Sequence, residues 1–193
     1  MATSRGVLDF RTGRGAATLS APFVGALLEA GAGKAPAAFE VVYTPTAVYL
    51  RIPKSDARRP WTKIALERQT DRSVLPENPA GGLEFLSGES RRVDEIGRDV
   101  VRGAATTRYR VELEAASVAA RSSDAVRRAV EEDGRRAFPV DVWIDRAGLI
   151  RRLRWDQRFR AGDTSARIVV TTEYFAFGAA VAIDVPPPDQ VAD

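Results

Sequence analysis

Asp141 and Asp145 lie four residues apart in a segment whose alternation of apolar and polar residues predicts a β-strand. On one face of a strand this spacing separates two carboxylates by about 13 Å. The catalytic carboxylates of a glycosidase stand at most about 9.5 Å apart. Asp145 also opens the turn signature Asp145-Arg146-Ala147-Gly148. The two aspartates therefore predict a solvated strand face that ends in a turn, and they do not predict a hydrolytic centre.

Histidine and cysteine are both absent from the 193 residues. The chain therefore lacks the usual general base near neutral pH, the commonest metal ligand and the thiolate that binds zinc or acts as a nucleophile. Carboxylate or tyrosine chemistry stays open, so a hydrolase is retained as a minor hypothesis. We expect no catalytic residue, no bound metal and no cofactor.

A glycine-rich stretch, Gly31-Ala32-Gly33-Lys34, resembles part of a phosphate-binding loop. That motif needs a glycine five residues before its last glycine and a hydroxyl residue after the lysine. Leu28 and Ala35 occupy those two positions. The stretch therefore predicts an ordinary loop.

The most basic stretch of the chain runs from residue 151 to residue 160 and alternates arginines with aromatic and apolar residues. A stacking platform for nucleic acid needs its aromatic and basic side chains on one face. In a strand, Trp155 and Phe159 fall on the face opposite the arginines. We therefore expect no nucleic-acid partner. The exposed arginines predict a weak, salt-sensitive association with anionic membranes, and they are Arg152, Arg154, Arg158 and Arg160.

Period-two alternation recurs along the chain and is typical of an antiparallel sheet with one apolar face. The turn signatures at 145–148 and 161–164 predict hairpins, and Thr44-Pro45-Thr46 divides another run into two strands. Short links between consecutive strands imply a meander. The residues predicted to form the apolar face are Leu50, Ile52, Ile64, Leu66, Tyr109, Val111, Val142, Ile144, Leu153, Trp155, Ile168 and Val170.

Helices are predicted at only a few places. An apolar stripe indicates a helix over 117–133, and Asn78-Pro79 indicates the start of a short helix over 78–87 that presents Leu83 and Leu86. A third, weaker candidate covers 23–30. Three consecutive prolines from Pro186 predict an extended tail over 186–193.

An ordered set of short motifs resembles actinobacterial envelope lipoproteins of the LppX/LprG type, which are related in fold to the LolA lipoprotein carrier. The resemblance covers nearly the whole chain, and the order and spacing of the motifs carry it. They are Gly6-Val7-Leu8-Asp9-Phe10, Val48-Tyr49-Leu50-Arg51-Ile52-Pro53, Pro60-Trp61, Val101-Arg102-Gly103, Thr106-Thr107-Arg108-Tyr109-Arg110, Pro139-Val140-Asp141-Val142-Trp143-Ile144-Asp145 and Tyr174-Phe175-Ala176-Phe177-Gly178.

The resemblance implies a mostly β, α+β fold. A single, strongly curved antiparallel sheet forms a half-open barrel, two or three helices cover its concave face, and an apolar cavity lies between them. Members of the group bind or carry acylated lipids at the cell envelope. This chain departs from the pattern in having no lipidation cysteine and no signal peptide, and in having Arg108 where relatives often have histidine. Residues 21–38 look like an inserted loop.

We therefore expect one domain over 1–193 that is a monomer. We expect it to bind a lipid or acyl chain without catalysing a reaction, and to take part in lipid transport or lipoprotein handling. The expected location is the extracytoplasmic cell envelope, if a targeting segment has been removed, and otherwise the cytoplasm. The alternative is an interaction or sensor module with a packed core. The predicted cavity lining is Leu50, Ile52, Leu66, Leu83, Leu86, Tyr109, Val111, Val126, Val130, Ile144 and Trp155.

Overall fold

The computed structural model describes residues 3–20, 39–51, 58–65, 83, 86, 89–121, 127, 130, 134–161 and 164–192. The chain forms two compact units. The first comprises Met1–Ala80 and Ala180–Asp193 and is called the outer unit because it contains the two outer parts of the sequence, and the second comprises Gly81–Ala179 and is called the central unit because it contains the middle of the sequence. The prediction of a single domain over 1–193 stays a prediction.

The outer unit contains a six-stranded sheet. Its strands are β1 (Thr3–Asp9), β2 (Arg14–Ser20), β3 (Phe39–Tyr43), β4 (Ala47–Arg51), β5 (Trp61–Ala65) and β11 (Val191–Ala192). They lie in the order β1-β2-β3-β4-β5-β11, antiparallel except for the two-residue β11, which runs parallel to β5. The β3–β4 turn falls where Thr44-Pro45-Thr46 predicted it. There the Thr44 hydroxyl accepts a hydrogen bond from the Ala47 N–H and donates one to the Ala47 carbonyl, both at 2.9 Å.

Both faces of this sheet carry apolar clusters. One face holds the larger cluster, Ala17, Phe39, Val41, Tyr43, Val48 and Leu50, with Ile64 packed against it. On the other face Val42 and Trp61 pack against Ile183, which belongs to the C-terminal segment. That segment ends in a short 3₁₀ helix (Pro188–Gln190) and β11. The predicted extended tail over 186–193 therefore contains a helical turn and a paired strand.

The central unit is a meander of five antiparallel strands. The strands are β6 (Ser90–Val101), β7 (Ala104–Glu114), β8 (Ala137–Asp145), β9 (Ile150–Ala161) and β10 (Thr164–Glu173), in the spatial order β10-β9-β8-β7-β6. Strand β6 is irregular, because its pairing with β7 shifts between Ser90 and Arg92 and again between Glu95 and Gly97. The β8–β9 hairpin has the predicted turn, with Gly148 at φ +77°.

The predicted phase of the apolar face is confirmed where side chains are described. Leu153 is fully buried and Trp155 is half-buried, whereas Arg154 on the opposite face is exposed. Ile52 and Leu66 lie outside the described residues, as does the side chain of Ile168.

The prediction of a single sheet is wrong, and the two or three helices predicted to cover it stay a prediction. The described residues form two sheets, and the one helix with both ends described is α1 (Ala115–Arg121). Alternation predicts strands but not which edges pair, and the 24 residues of 66–89 between β5 and β6 far exceed the roughly two to five residues of a hairpin loop. Helix α1 begins two residues before Ser117, whose hydroxyl accepts the Glu89 N–H at 2.8 Å. Arg127 and Val130 are helical, and the helices predicted over 78–87 and 23–30 lie largely or wholly outside the described residues.

Candidate functional site

The strongest candidate for a ligand-binding surface is the apolar face of the central sheet. On this face, side chains that are paired on adjacent strands form two rows, and each row extends over all five strands. The first row is apolar from edge to edge and consists of Val170, Trp155, Val140, Val111 and Val93. The second row consists of Thr172, Leu153, Val142, Tyr109 and Glu95. Cross-strand neighbours on one face lie about 5 Å apart, so each row is a continuous surface.

Burial along the two rows falls from the centre to the edges. Leu153 is 0% exposed and Val142 is 3% exposed, whereas Val93 on β6 is 55% exposed. Trp155 and Tyr109 are half-buried. The face is therefore covered at its middle and accessible towards its margins.

The predicted lining residues divide between the two units. Tyr109, Val111, Ile144 and Trp155 share the apolar face of the central sheet. In the same unit Val130 is buried and Leu83 and Leu86 are half-buried. Leu50 is 7% exposed and belongs to the larger core cluster of the outer unit. Ile52, Leu66 and Val126 lie outside the described residues.

The opposite face of the central sheet is charged, and arginines neutralise its most buried carboxylate. Asp141 is 6% exposed. It accepts hydrogen bonds from Arg108 at 2.6 Å and from Arg110 at 2.9 and 3.2 Å. Burial raises the pKa of Asp141, but the two guanidiniums outweigh it and hold that pKa below its ordinary value. Asp141 is therefore a structural carboxylate.

A tryptophan that the sequence placed on this charged face is also buried. Trp143 is 4% exposed and lies between its ladder neighbours Arg108 and Arg152, whose guanidiniums stand 5.0 and 5.2 Å from the ring centroid. Its indole N–H donates to Asp99 Oδ2 at 2.7 Å. Sequence reasoning missed this cluster, although a tryptophan in phase with charged residues was its visible signal.

The arginines that predicted a membrane contact have different surroundings. Arg152 donates to Glu173 at 3.0 and 2.7 Å, so its charge is compensated within the sheet. Arg154 is exposed, and the side chains of Arg158 and Arg160 lie outside the described residues. The association with anionic membranes through these four residues stays a prediction.

The outer unit has an open groove of about 250 Å³. It runs over β1, β2 and β3, and its walls include Val7, Ala16, Val42 and Trp61. The approach of β1 to β2 requires Gly6, because a Cβ there would lie 2.2 Å from the Ala16 carbonyl oxygen. None of the predicted lining residues belongs to this groove.

The described carboxylates do not assemble a metal site. No group of three or more acidic residues that could hold a metal ion occurs in the part of the chain that the structure describes. Asp145 accepts the N–H groups of Ala147 and Leu149 and pairs with Arg151 at 2.6 Å. The Leu149 N–H and Arg151 together lower the pKa of Asp145 against the effect of burial. Asp141 and Asp145 are thus bound by separate partners.

No protein-family model matches the sequence, and no curated protein is significantly similar to it. Among solved structures, the lipoprotein LppX of Mycobacterium tuberculosis is similar, with 13% identity and a TM-score of 0.50 over 95% of this chain and 86% of LppX. LprF from Mycobacterium bovis is similar with 17% identity and a TM-score of 0.50, over 95% of this chain and 79% of LprF. At such identities the likeness concerns the fold. The chain shares the fold of LppX and LprF, mycobacterial lipoproteins of the LppX/LprG type, as the resemblance of its motifs predicted.

Proposed function

We propose that this chain is a non-catalytic protein that binds an acylated lipid or a similar acyl chain at the cell envelope. The observation that carries the proposal is the fold shared with LppX and LprF over 95% of the chain. The resemblance to the LppX/LprG type implies the same class of ligand. The chain has no histidine and no cysteine, which removes the commonest catalytic and metal-binding groups.

The apolar face of the central sheet supports this ligand class. Its edge-to-edge row of valines and Trp155 offers an acyl chain contact without demanding polar partners, and each buried methylene contributes about 0.8 kcal/mol. Tyr109 and Trp155 are half-buried and each carries a hydrogen-bonding group at the end of an apolar ring. Such side chains suit the boundary between an acyl chain and a head group.

An extracytoplasmic location belongs to the same proposal, since LppX is a lipoprotein. Within the described ranges, no helix is both long enough and apolar enough to cross a membrane. The genomic sequence upstream of the start codon tests the location. A signal peptide followed by a cysteine would support export and lipidation, and a short non-coding interval would contradict it.

Native mass spectrometry of the purified chain tests the function directly. We expect a co-purified lipid, and we expect the delipidated protein to bind a fluorescent fatty-acyl probe. Val111→Phe enlarges a side chain on the apolar face and should weaken probe binding about tenfold, because a packed site tolerates extra volume poorly. Val169→Phe is the matched control, since Val169 is 48% exposed and pairs with Asp156 out of phase with the apolar rows.

Two results would contradict lipid binding. One is a wild-type protein that carries no lipid and binds no probe. The other is an equal loss of probe affinity in both variants. Either would favour the interaction or sensor module with a packed core.

A further inference from the structure

One end of the central sheet gathers aromatic and basic side chains, most of them exposed, from three loops and the start of β9. In an antiparallel meander the β6–β7 turn, the β8–β9 turn and the end of β10 lie at the same end of the sheet. These segments and the start of β9 carry five residues that we call the basic-aromatic end, namely Arg102, Arg146, Arg151, Phe175 and Phe177.

Each phenylalanine of the basic-aromatic end is held by an arginine. The Arg102 guanidinium lies 4.3 Å from the centroid of the Phe175 ring, and the Arg151 guanidinium lies 4.8 Å from that of Phe177. Both phenylalanines are nevertheless 41% exposed. The rings are therefore fixed in position while part of their surface faces solvent.

The charges at this end form two layers. Arg102 donates to Glu173 at 2.7 Å, with side chains that are 55% and 25% exposed respectively. Arg151 pairs with Asp145 at 2.6 Å, with side chains that are 23% and 8% exposed. Arg146, in the β8–β9 turn, is exposed. In each pair the carboxylate is more buried than its guanidinium, so the guanidinium is the more accessible charge, and the exposed Arg146 adds a further positive charge.

The backbone at this end is also unusual. Arg102 at φ +48° and Ala176 at φ +54° are the non-glycine residues with positive φ in the described part of the chain. Left-handed conformations are unfavourable for such residues and tend to occur at functional positions. Here they shape the loops that present Arg102 and the two phenylalanines.

We propose that the basic-aromatic end docks on the surface of an anionic lipid bilayer. Phe175 and Phe177 enter the interfacial layer, the exposed guanidiniums of Arg102 and Arg146 lie against lipid phosphates, and Arg151 positions the Phe177 ring. The exposed parts of the two rings amount to roughly 200 Å². A specific protein interface needs about 800 Å² on each partner, so this set of loop tips suits shallow membrane insertion better. The proposal does not depend on an acyl-chain site elsewhere in the molecule.

The absence of cysteine from the chain allows a site-specific test. Ala147→Cys, in the β8–β9 turn, is labelled with an environment-sensitive fluorophore, and Thr12→Cys, in the exposed β1–β2 turn, is the control. Vesicles of phosphatidylcholine with phosphatidylglycerol should shift the emission of the label at position 147 to the blue and leave the label at position 12 unchanged. Vesicles of phosphatidylcholine alone should produce a much smaller shift.

Co-sedimentation with the same vesicles measures the contribution of each side chain. Phe175→Ala combined with Phe177→Ala should lower the vesicle affinity about tenfold. Phe10→Ala, which removes a 58% exposed phenylalanine from the β1–β2 turn, should not change it. Arg146→Gln should weaken binding about threefold and reduce its salt dependence, while Arg14→Gln, at an exposed position of β2, should have no effect.

Several outcomes would overturn the proposal. They are the absence of wild-type binding to anionic vesicles, an equal response of the two labels, and a loss of binding with Arg14→Gln but not with the double phenylalanine variant. If circular dichroism shows that the double variant is unfolded, the Ala147→Cys label and Arg146→Gln decide the question. The acyl-probe assay in solution contains no vesicles, so its result is independent of whether the protein binds to vesicles.

Discussion

Trp143 on β8 donates its indole N–H to Asp99 on β6 at 2.7 Å, across the intervening strand β7. The ring lies between the guanidiniums of Arg108 and Arg152, so one side chain on β8 connects charged groups from three other strands. The Trp143 N–H, with the Val100 N–H, lowers the pKa of Asp99 below its ordinary value. Trp143 thus contacts three charged side chains on a face that consists mainly of ionised residues.

Trp143→Phe keeps an aromatic ring between the two arginines and removes the hydrogen bond to Asp99. We expect the melting temperature at neutral pH to fall by a few degrees. The lowered pKa of Asp99 means that this stabilisation is present above the ordinary aspartate pKa and is lost as the pH falls through the lowered value. Thermal unfolding followed by circular dichroism should therefore show a smaller difference in acid. A difference that stays constant down to strongly acidic pH would contradict the assignment.

Asp141→Asn removes the charge that holds Arg108 and Arg110. Because Asp141 is buried and Arg110 is partly solvated, we expect the free energy of unfolding to fall by about 2 kcal/mol, less than for a fully buried pair. The pKa of Asp141 is lowered in the folded state, so the wild type should lose this advantage as the pH falls below about 4. Urea unfolding at several pH values measures the effect. Asp94→Asn, in an exposed pair with Arg92, is the control and should change stability little.

Ile183→Ala removes the apolar side chain that joins the C-terminal segment to Val42 and Trp61. Deleting a buried isoleucine should lower the free energy of unfolding by about 2 to 3 kcal/mol. Urea unfolding checks this value. Val181→Ala, two residues earlier at a position that is 37% exposed, should have a much smaller effect. Equal losses in the two variants would show that the segment is not anchored through Ile183.

Tyr174→Phe tests the burial of the phenol that follows β10. Burial raises the pKa of Tyr174 from 10.0 to about 12. Because the folded state favours the neutral phenol, its contribution to stability is fully present below pH 10 and is lost as the pH rises from 10 to about 12. The wild type should therefore lose more stability than the variant in that alkaline window. Ultraviolet absorbance of tyrosinate should also show one fewer late-titrating tyrosine in the variant.

Local structure in the central unit could be predicted where the signals are short-range. The alternation around Leu153 and Arg154 predicted which side chain is buried, because a strand presents successive residues to opposite faces. The β8–β9 turn could be predicted because Asp145 and Gly148 are residue types that such a turn requires at those two positions. The carboxylate accepts the N–H groups of Ala147 and Leu149, and the glycine adopts a positive φ.

The long-range organisation could not be predicted in the same way. Alternation carries no information about the partner of a strand edge, so the division of the strands into two sheets was missed. The burial of Trp143 was missed because it depends on Arg108, Arg152 and Asp99, which come from three other strands. The parallel pairing of Val191 with Trp61 joins residues 130 positions apart and leaves no periodic signal. The predicted cavity lining stays a prediction for the same reason.

The irregular edge strand β6 has a consequence for the behaviour of the protein at high concentration. Within the described residues β6 pairs on one side only, and Val93, Ile96 and Val100 are 55%, 47% and 61% exposed. A straight and exposed edge strand is a template for polymer growth between molecules, and the charged residues of β6 also oppose such growth. The register shift between Glu95 and Gly97 interrupts the row of outward N–H and C=O groups that such growth requires. Ile96 is the extra residue, because Glu95 and Gly97 pair with the consecutive residues Tyr109 and Arg108. We therefore expect a chain that lacks Ile96 to form fibrous aggregates at lower concentrations than the natural chain.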